Sequence, residues 1–159
     1  MLIDEILIAI LIISFGIPIG LHDLAFQKIS NSVLSKFLLG ALSIKALELV
    51  VLENFHDFVV CGLGSLLLLI LLSFCNNYVG NPVGYGDIKL MALLTFILNF
   101  EKATNFVFWL LTIWIFGALS FVAISLKKMR FQGSIAMAPA IFMATITYLA
   151  ARRWIFLSQ

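Results

Sequence analysis

Two aspartates lie at the borders of apolar segments, where ionisable side chains are uncommon. Asp87 lies within the segment Gly84–Leu90, next to Gly86 and directly before an apolar run. Asp23 closes the first apolar segment of the chain. Acids at membrane boundaries are costly and commonly mark a functional site. The pattern therefore makes Asp23 and Asp87 the candidate catalytic residues.

The chemistry open to such a pair is acid–base catalysis of hydrolysis. One carboxylate can activate a water molecule while its protonated partner donates to the reacting group. Two like charges a few ångströms apart cannot both ionise, so the pair would titrate jointly. Asp87 precedes an expected helix and Asp23 follows one, and helix polarity favours a carboxylate only at the helix start. This polarity predicts Asp87 as the initial base and Asp23 as the initial acid.

Each residue also has a structural interpretation. Asp87 could cap a helix N-terminus, and the glycines Gly84 and Gly86 could form a turn. Asp23 could end a helix already loosened by Pro18. Two acids beside glycines at one boundary favour the functional interpretation over these separate ones.

Composition limits the class of protein. The chain has 159 residues, of which 63% are hydrophobic and 11% charged, and its mean hydropathy is +1.14. A soluble domain of this size would leave too much apolar surface in water. Backbone groups facing lipid must be satisfied within the segment, and the alternation typical of a barrel is missing. The sequence predicts an all-α membrane protein, surrounded by lipids, with a single domain over residues 1–159.

Apolar runs of about 20 residues match the bilayer core. They predict a bundle of six transmembrane helices, at about Ile3–Leu21, Val33–Leu52, Phe58–Phe74, Ile88–Phe100, Thr104–Leu126 and Ile135–Ala151. A polar loop is expected over Cys75–Val83. The short fourth span would measure only ~20 Å as a helix. Irregular backbone before it would therefore have to line a wet cavity or pack on protein.

Basic residues predict the orientation, because they concentrate on the cytoplasmic side of membrane proteins. One face holds six of them, Lys28, Lys36, Lys89, Lys127, Lys128 and Arg130, and the other holds four, Lys45, Lys102, Arg152 and Arg153. Both candidate acids lie on the first face. The bias places that face in the cytoplasm and both termini outside.

Other chemistries fit the sequence less well. No cluster of His, Cys and Glu has metal-ligand spacing, so neither a metal nor another cofactor is expected. No serine has a recognisable nucleophile setting. A small carrier or proton relay could use the same acids, although carriers generally contain inverted repeats, which are not evident here. An inactive partner in an assembly remains the third alternative.

The segment around Asp87 resembles the second signature of the prepilin peptidases, or type IV leader peptidases. The shared residues are Gly84, Gly86, Asp87, Lys89 and Leu90. These enzymes belong to the wider class of membrane aspartic proteases that carry a Gly-x-Gly-Asp motif.

Two other segments extend the resemblance. The segment Asp23–Asn31 is similar to the first signature of the family, although Ser30 stands where proline is usual. The last span, with Pro139, is similar to the family's proline-containing final helix. The resemblance gives Gly84, Gly86, Lys89, Asn31 and Pro139 a supporting role around the two acids.

The resemblance implies a function as well as a site. It implies an aspartic endopeptidase that removes the short basic leader from pilin-like precursors, which consist of that leader and an apolar helix. Cleavage would occur at the cytoplasmic face of the inner (plasma) membrane, with Asp23 and Asp87 activating water and no nucleic acid involved. The chain resembles the short, peptidase-only form associated with Flp-type pili or archaeal preflagellins. That form lacks the N-terminal methyltransferase region.

Overall fold

The computed structural model describes residues 2–52, 55–80, 83–100, 102–128 and 136–157. Within these ranges the regular structure is entirely helical, in agreement with the predicted fold class. The six helices are α1 (Leu2–Phe26), α2 (Asn31–Leu52), α3 (Phe55–Tyr78), α4 (Tyr85–Leu98), α5 (Ala103–Lys128) and α6 (Ala138–Leu157).

Three of these helices are long and apolar enough to cross a bilayer. The qualifying segments are Ile6–Phe26 in α1, Phe55–Tyr78 in α3 and Ala103–Ala123 in α5. Large apolar side chains such as Leu21, Ile70 and Trp114 are exposed on them, as expected for surfaces that face lipid rather than water. These three helices indicate a membrane protein. Membrane spans through α2, α4 and α6 remain predictions.

Helix α4 forms the centre of the bundle. It packs against α3, α2 and α6, while α1 packs on α2 and α6, and α5 on α6. Ten of its 14 residues are buried, so its neighbours shelter it on nearly every side. A helix of this length is only ~21 Å long. Its position inside the bundle explains how so short an apolar helix is accommodated.

Several helix ends differ from the sequence-based boundaries. Helix α1 continues beyond Leu21 to Phe26, and α3 continues to Tyr78, through part of the predicted Cys75–Val83 loop. Helix α6 runs to Leu157 rather than Ala151, and the expected start at Ile135 lies outside the described residues. The apolar pattern marks the surface that can face lipid, but backbone hydrogen bonding continues equally well through polar final turns. The boundary predictions were therefore too short at these ends.

Candidate active site between α1, α4 and α6

Asp87 is the third residue of α4. The helix begins after Gly84, whose carbonyl accepts the backbone N–H groups of Asp87 at 3.0 Å and Ile88 at 3.2 Å. Gly84 occupies the N-cap position, and no side chain makes a capping hydrogen bond there. The structural interpretation of Asp87 as an N-cap residue is therefore wrong, and its carboxylate is available for another role.

The carboxylate of Asp87 is buried without being fully satisfied. The residue is 8% exposed, and its Oδ1 atom has no hydrogen-bond partner in the described part of the chain. An unpaired buried oxygen costs free energy, and such groups in folded proteins need a physical reason. A proton, a water molecule or a substrate group at Oδ1 would supply one.

Asp23 has a different environment. It lies in the last turn of α1, is 4% exposed, and accepts a hydrogen bond at Oδ2 from the backbone N–H of Ala138 at 3.0 Å. Ala138 is the first residue of α6, where the free N–H groups and the helix dipole favour a negative charge. Asp23 is thus inside a helix and supported by the start of another, rather than lying beyond a helix end as expected.

The two acids lie within electrostatic reach of each other. Burial, and to a lesser extent the negative charge of Asp23, together raise the pKa of Asp87 to about 7. Aspartates 64 positions apart in the sequence therefore converge on one site, which is the arrangement that shared proton chemistry requires.

The surroundings of the two acids differ from those assumed when helix polarity was used to assign their roles. Burial favours the protonated form of Asp87, whereas Asp23 accepts a backbone N–H. The dipole of α4 contributes at most about 1 kcal/mol at such a position. Burial of Asp87 outweighs that contribution, and the prediction could not include the start of α6 as a partner of Asp23.

The glycines of the motif allow close approach rather than a turn. A Cβ atom on Gly84 would lie 2.8 Å from Asp87 Oδ2, and one on Gly86 would lie 2.9 Å from Cβ of Ile29. Gly84 has ordinary extended backbone angles, φ −65° and ψ 137°. Each glycine therefore leaves space for a specific neighbour, the Asp87 carboxylate in one case and the α1–α2 connection in the other.

The remaining motif residues lie around the same end of the bundle. Lys89 Nζ donates to Asn31 Oδ1 at 3.0 Å, which connects α4 to the first residue of α2. A Cβ atom on Gly20 would lie 3.9 Å from Pro139 Cγ, so Pro139 packs beside α1 one turn before Asp23. Asn31 is thus bonded to a residue of the Asp87 segment, and Pro139 follows the residue whose N–H reaches Asp23.

Two contributors were missed. Ile29 contacts the Gly86 position, and Ala138 donates its N–H to Asp23. A signal for Ala138 was present, because proline favours the first turn of a helix. Pro139 therefore indicated a helix start with free N–H groups nearby, but nothing in the sequence indicated which acid they would reach.

Titration of Asp87 provides a direct test of this electrostatic arrangement. We expect Asp87 to lose its proton at about pH 7, measured as loss of the protonated-carboxyl C=O stretch in the infrared spectrum. Asp23→Asn removes a nearby negative charge without removing burial, so the titration should move to lower pH. Asp57→Asn, in the first turn of α3, should leave it unchanged. Identical titrations in wild type and Asp23→Asn would show that the acids do not interact.

The arrangement has the two groups that acid–base hydrolysis needs. Asp23 accepts a backbone N–H, and Asp87 has an oxygen, Oδ1, without a hydrogen-bond partner among the described residues. Within the described ranges, no group of three or more His, Cys, Asp or Glu side chains could hold a metal ion.

Comparison with protein-family models, curated proteins and solved structures finds no match to this chain.

Proposed function

We propose that this protein is a membrane aspartic endopeptidase that removes the short basic leader from type IV pilin-like precursors. The observation that carries the proposal is the convergence of buried Asp23 and Asp87, one with a backbone donor and one with an unpartnered oxygen. The resemblance of residues 23–31 and 84–90 to the prepilin peptidase signatures supplies the reaction and the substrate class.

In the proposed mechanism Asp23 acts as the initial base and Asp87 as the initial acid. The Asp23 carboxylate takes a proton from a water molecule, whose oxygen forms a bond to the scissile carbonyl carbon. Asp87 donates its proton to the carbonyl oxygen. Asp23 then gives its proton to the amide nitrogen as the carbon–nitrogen bond breaks. Asp87 takes back a proton from one hydroxyl of the diol as the carbonyl re-forms, so the pair again holds a single proton. Positioned acid–base catalysis of this kind contributes about 10²–10⁴-fold in rate.

The apolar helix of the precursor needs a path to the site from within the bilayer. Helices α2, α3 and α4 enclose a groove of about 520 Å³ lined mainly by apolar side chains, such as Leu38, Leu66 and Leu93. Asn31 and Lys89 also line it. Asn31 is the first residue of α2, and Lys89 lies two residues after Asp87 in α4. We place the precursor helix in this groove, with the leader reaching toward the acids.

A bulky residue in the groove should therefore impair substrate binding. Leu66→Trp fills the groove, whereas Leu67→Trp makes the same change on the next residue of α3, which does not line it. Both leucines are exposed, at 56% and 64%, so neither change disturbs the core. We expect Leu66→Trp to raise KM about tenfold and Leu67→Trp to leave it unchanged in vesicle assays. Equal KM values would mean that lipid, not substrate, occupies the groove.

We propose that the site faces the cytoplasm at the inner (plasma) membrane, and a bias of six basic residues on that side against four on the other supports this orientation. Basic residues are retained preferentially in the cytoplasm during insertion. Cleavage there would precede export of the pilin helix, as the substrate class requires.

The test of the activity is reconstitution with a substrate. The purified chain in lipid vesicles, mixed with a pilin-like precursor, should release the leader by a single cut at the leader–helix junction, detected by mass spectrometry. A carrier, a proton relay or an inactive assembly partner would leave the precursor intact. Intact precursor after prolonged incubation with folded protein would refute the proposal.

A further inference from the structure

We infer that Asn76, in the last turn of α3, is a positioning residue that determines where the Asp87 carboxylate lies. Asn76 belongs to none of the motif segments in the sequence. The expected change in kcat rests on the proposed function, whereas the expected change in the titration of Asp87 does not.

The Asn76 side chain holds the backbone that leads into α4. Its Nδ2 group donates to the Val83 carbonyl at 2.9 Å, and its Oδ1 atom accepts the Val83 N–H at 2.9 Å. One amide thus satisfies both backbone groups of one residue, as a neighbouring strand would. Asn76 is 5% exposed, where such bonds are shielded from water and costly to break.

Val83 is directly connected to the site. It precedes Gly84, the residue whose carbonyl accepts the N–H of Asp87 and whose missing side chain leaves room for the Asp87 carboxylate. Displacement of Val83 would move both features together. The position of Asp87 relative to Asp23 therefore depends on the side chain of Asn76.

A second contact strengthens the same connection. The Tyr85 hydroxyl donates to Asn77 Oδ1, so successive asparagines at the end of α3 hold residues on either side of Gly84. Gly80 has φ +88°, a conformation that favours glycine and helps the chain reverse between α3 and α4. The side-chain amides of Asn76 and Asn77 thus hold the start of α4 against the end of α3.

The amide of Asn76 offers Val83 a donor and an acceptor on two separate atoms. A carboxylate could accept the N–H but could not donate to the carbonyl, and an aliphatic side chain could do neither. Leucine branches at Cγ as asparagine does, so Asn76→Leu removes the two bonds while keeping the branched shape, and Asn76→Ala removes them without adding bulk. The start of α4 would then relax, and Asp87 would gain access to water and lose part of the burial that raises its pKa.

The experiment compares wild type, Asn76→Leu, Asn76→Ala and the control Asn105→Leu, which makes the same substitution in the first turn of α5. We expect both Asn76 variants to lower kcat about tenfold with KM within about twofold. We also expect the Asp87 carboxyl titration, followed by infrared spectroscopy, to move to lower pH. Asn105→Leu should match wild type in both measurements.

The infrared titration separates the inference from the proposed function, since it needs no substrate. If wild type fails to cleave a precursor but the Asn76 variants still shift the Asp87 titration, the positioning role stands and the proposed function fails. Unchanged titration in folded Asn76→Leu and Asn76→Ala would overturn the inference. Failure of both variants to accumulate in the membrane would also overturn it, because Asn76 would then be required for folding.

Discussion

Replacing either Asp23 or Asp87 by asparagine should abolish leader removal, with a loss of at least about 10²-fold in rate. Asparagine keeps the size of the side chain but removes its ionisation. Asp23→Asn therefore lacks the base, and Asp87→Asn lacks the acid. Coexpression with a pilin-like precursor, followed by gel separation of precursor and product, measures the effect. The abundance of both variants in the membrane should equal that of wild type.

The matched control is Asp57→Asn. Asp57 lies in the first turn of α3, beside His56 and near the end of the bundle that lacks the two acids. The same chemical change there should leave cleavage unaffected. Continued processing by Asp23→Asn or Asp87→Asn at normal abundance would contradict the proposed mechanism and favour a carrier or an assembly partner.

Combining the two substitutions distinguishes a shared mechanism from two separate contributions. Residues that act as one catalytic unit have strongly non-additive effects, because removal of either already disables the unit. The double variant should therefore cleave no more slowly than the slower single variant. Multiplication of the two single losses would mean that the acids act in separate steps.

The sequence was sufficient to select the two acids as candidates, because the cost of placing a carboxylate beside apolar segments is independent of the fold. It also predicted an all-helical membrane protein, since lipid leaves the backbone few alternatives. Asn31, Lys89 and Pro139 could be associated with the acids only through the resemblance. Their contacts with α4 and α1 are long-range, and no local pattern encodes them.

The protonation of the acids could not be predicted in the same way. Helix polarity is a local property, and it correctly indicated a helix start near Asp87. The decisive factors are the burial of Asp87 by its neighbours and the N–H of Ala138 at Asp23. Both depend on how α6 packs against α1 and on how α2, α3 and α6 surround α4, which is information that appears only once the bundle is assembled. Asn76 was missed for a similar reason, because it fell in a segment expected to be loop.

Gly84→Ala should reduce kcat about 10²-fold while leaving the folded protein nearly as stable as wild type. The backbone angles at Gly84 suit alanine, so no conformational strain is introduced. The new Cβ atom would lie 2.8 Å from Asp87 Oδ2, and the carboxylate is the free end of a side chain that can rotate away. Misplacement of a reacting group by about 1 Å is enough for such a loss. Kinetics in vesicles and thermal unfolding measure the two quantities separately.

Gly86→Ala should give a different combination of effects. Its new Cβ atom would lie 2.9 Å from Cβ of Ile29, an atom attached to the backbone that cannot rotate away. The connection between α1 and α2 would have to move, so we expect a lower unfolding temperature together with lost activity. Gly64→Ala in α3, where a Cβ atom would meet nothing within 4 Å, should retain activity and gain up to about 1 kcal/mol in helix stability. If Gly84→Ala instead destabilised the protein as much as Gly86→Ala does, that result would mean that Gly84 is needed for folding and that its contact with Asp87 has no specific catalytic role.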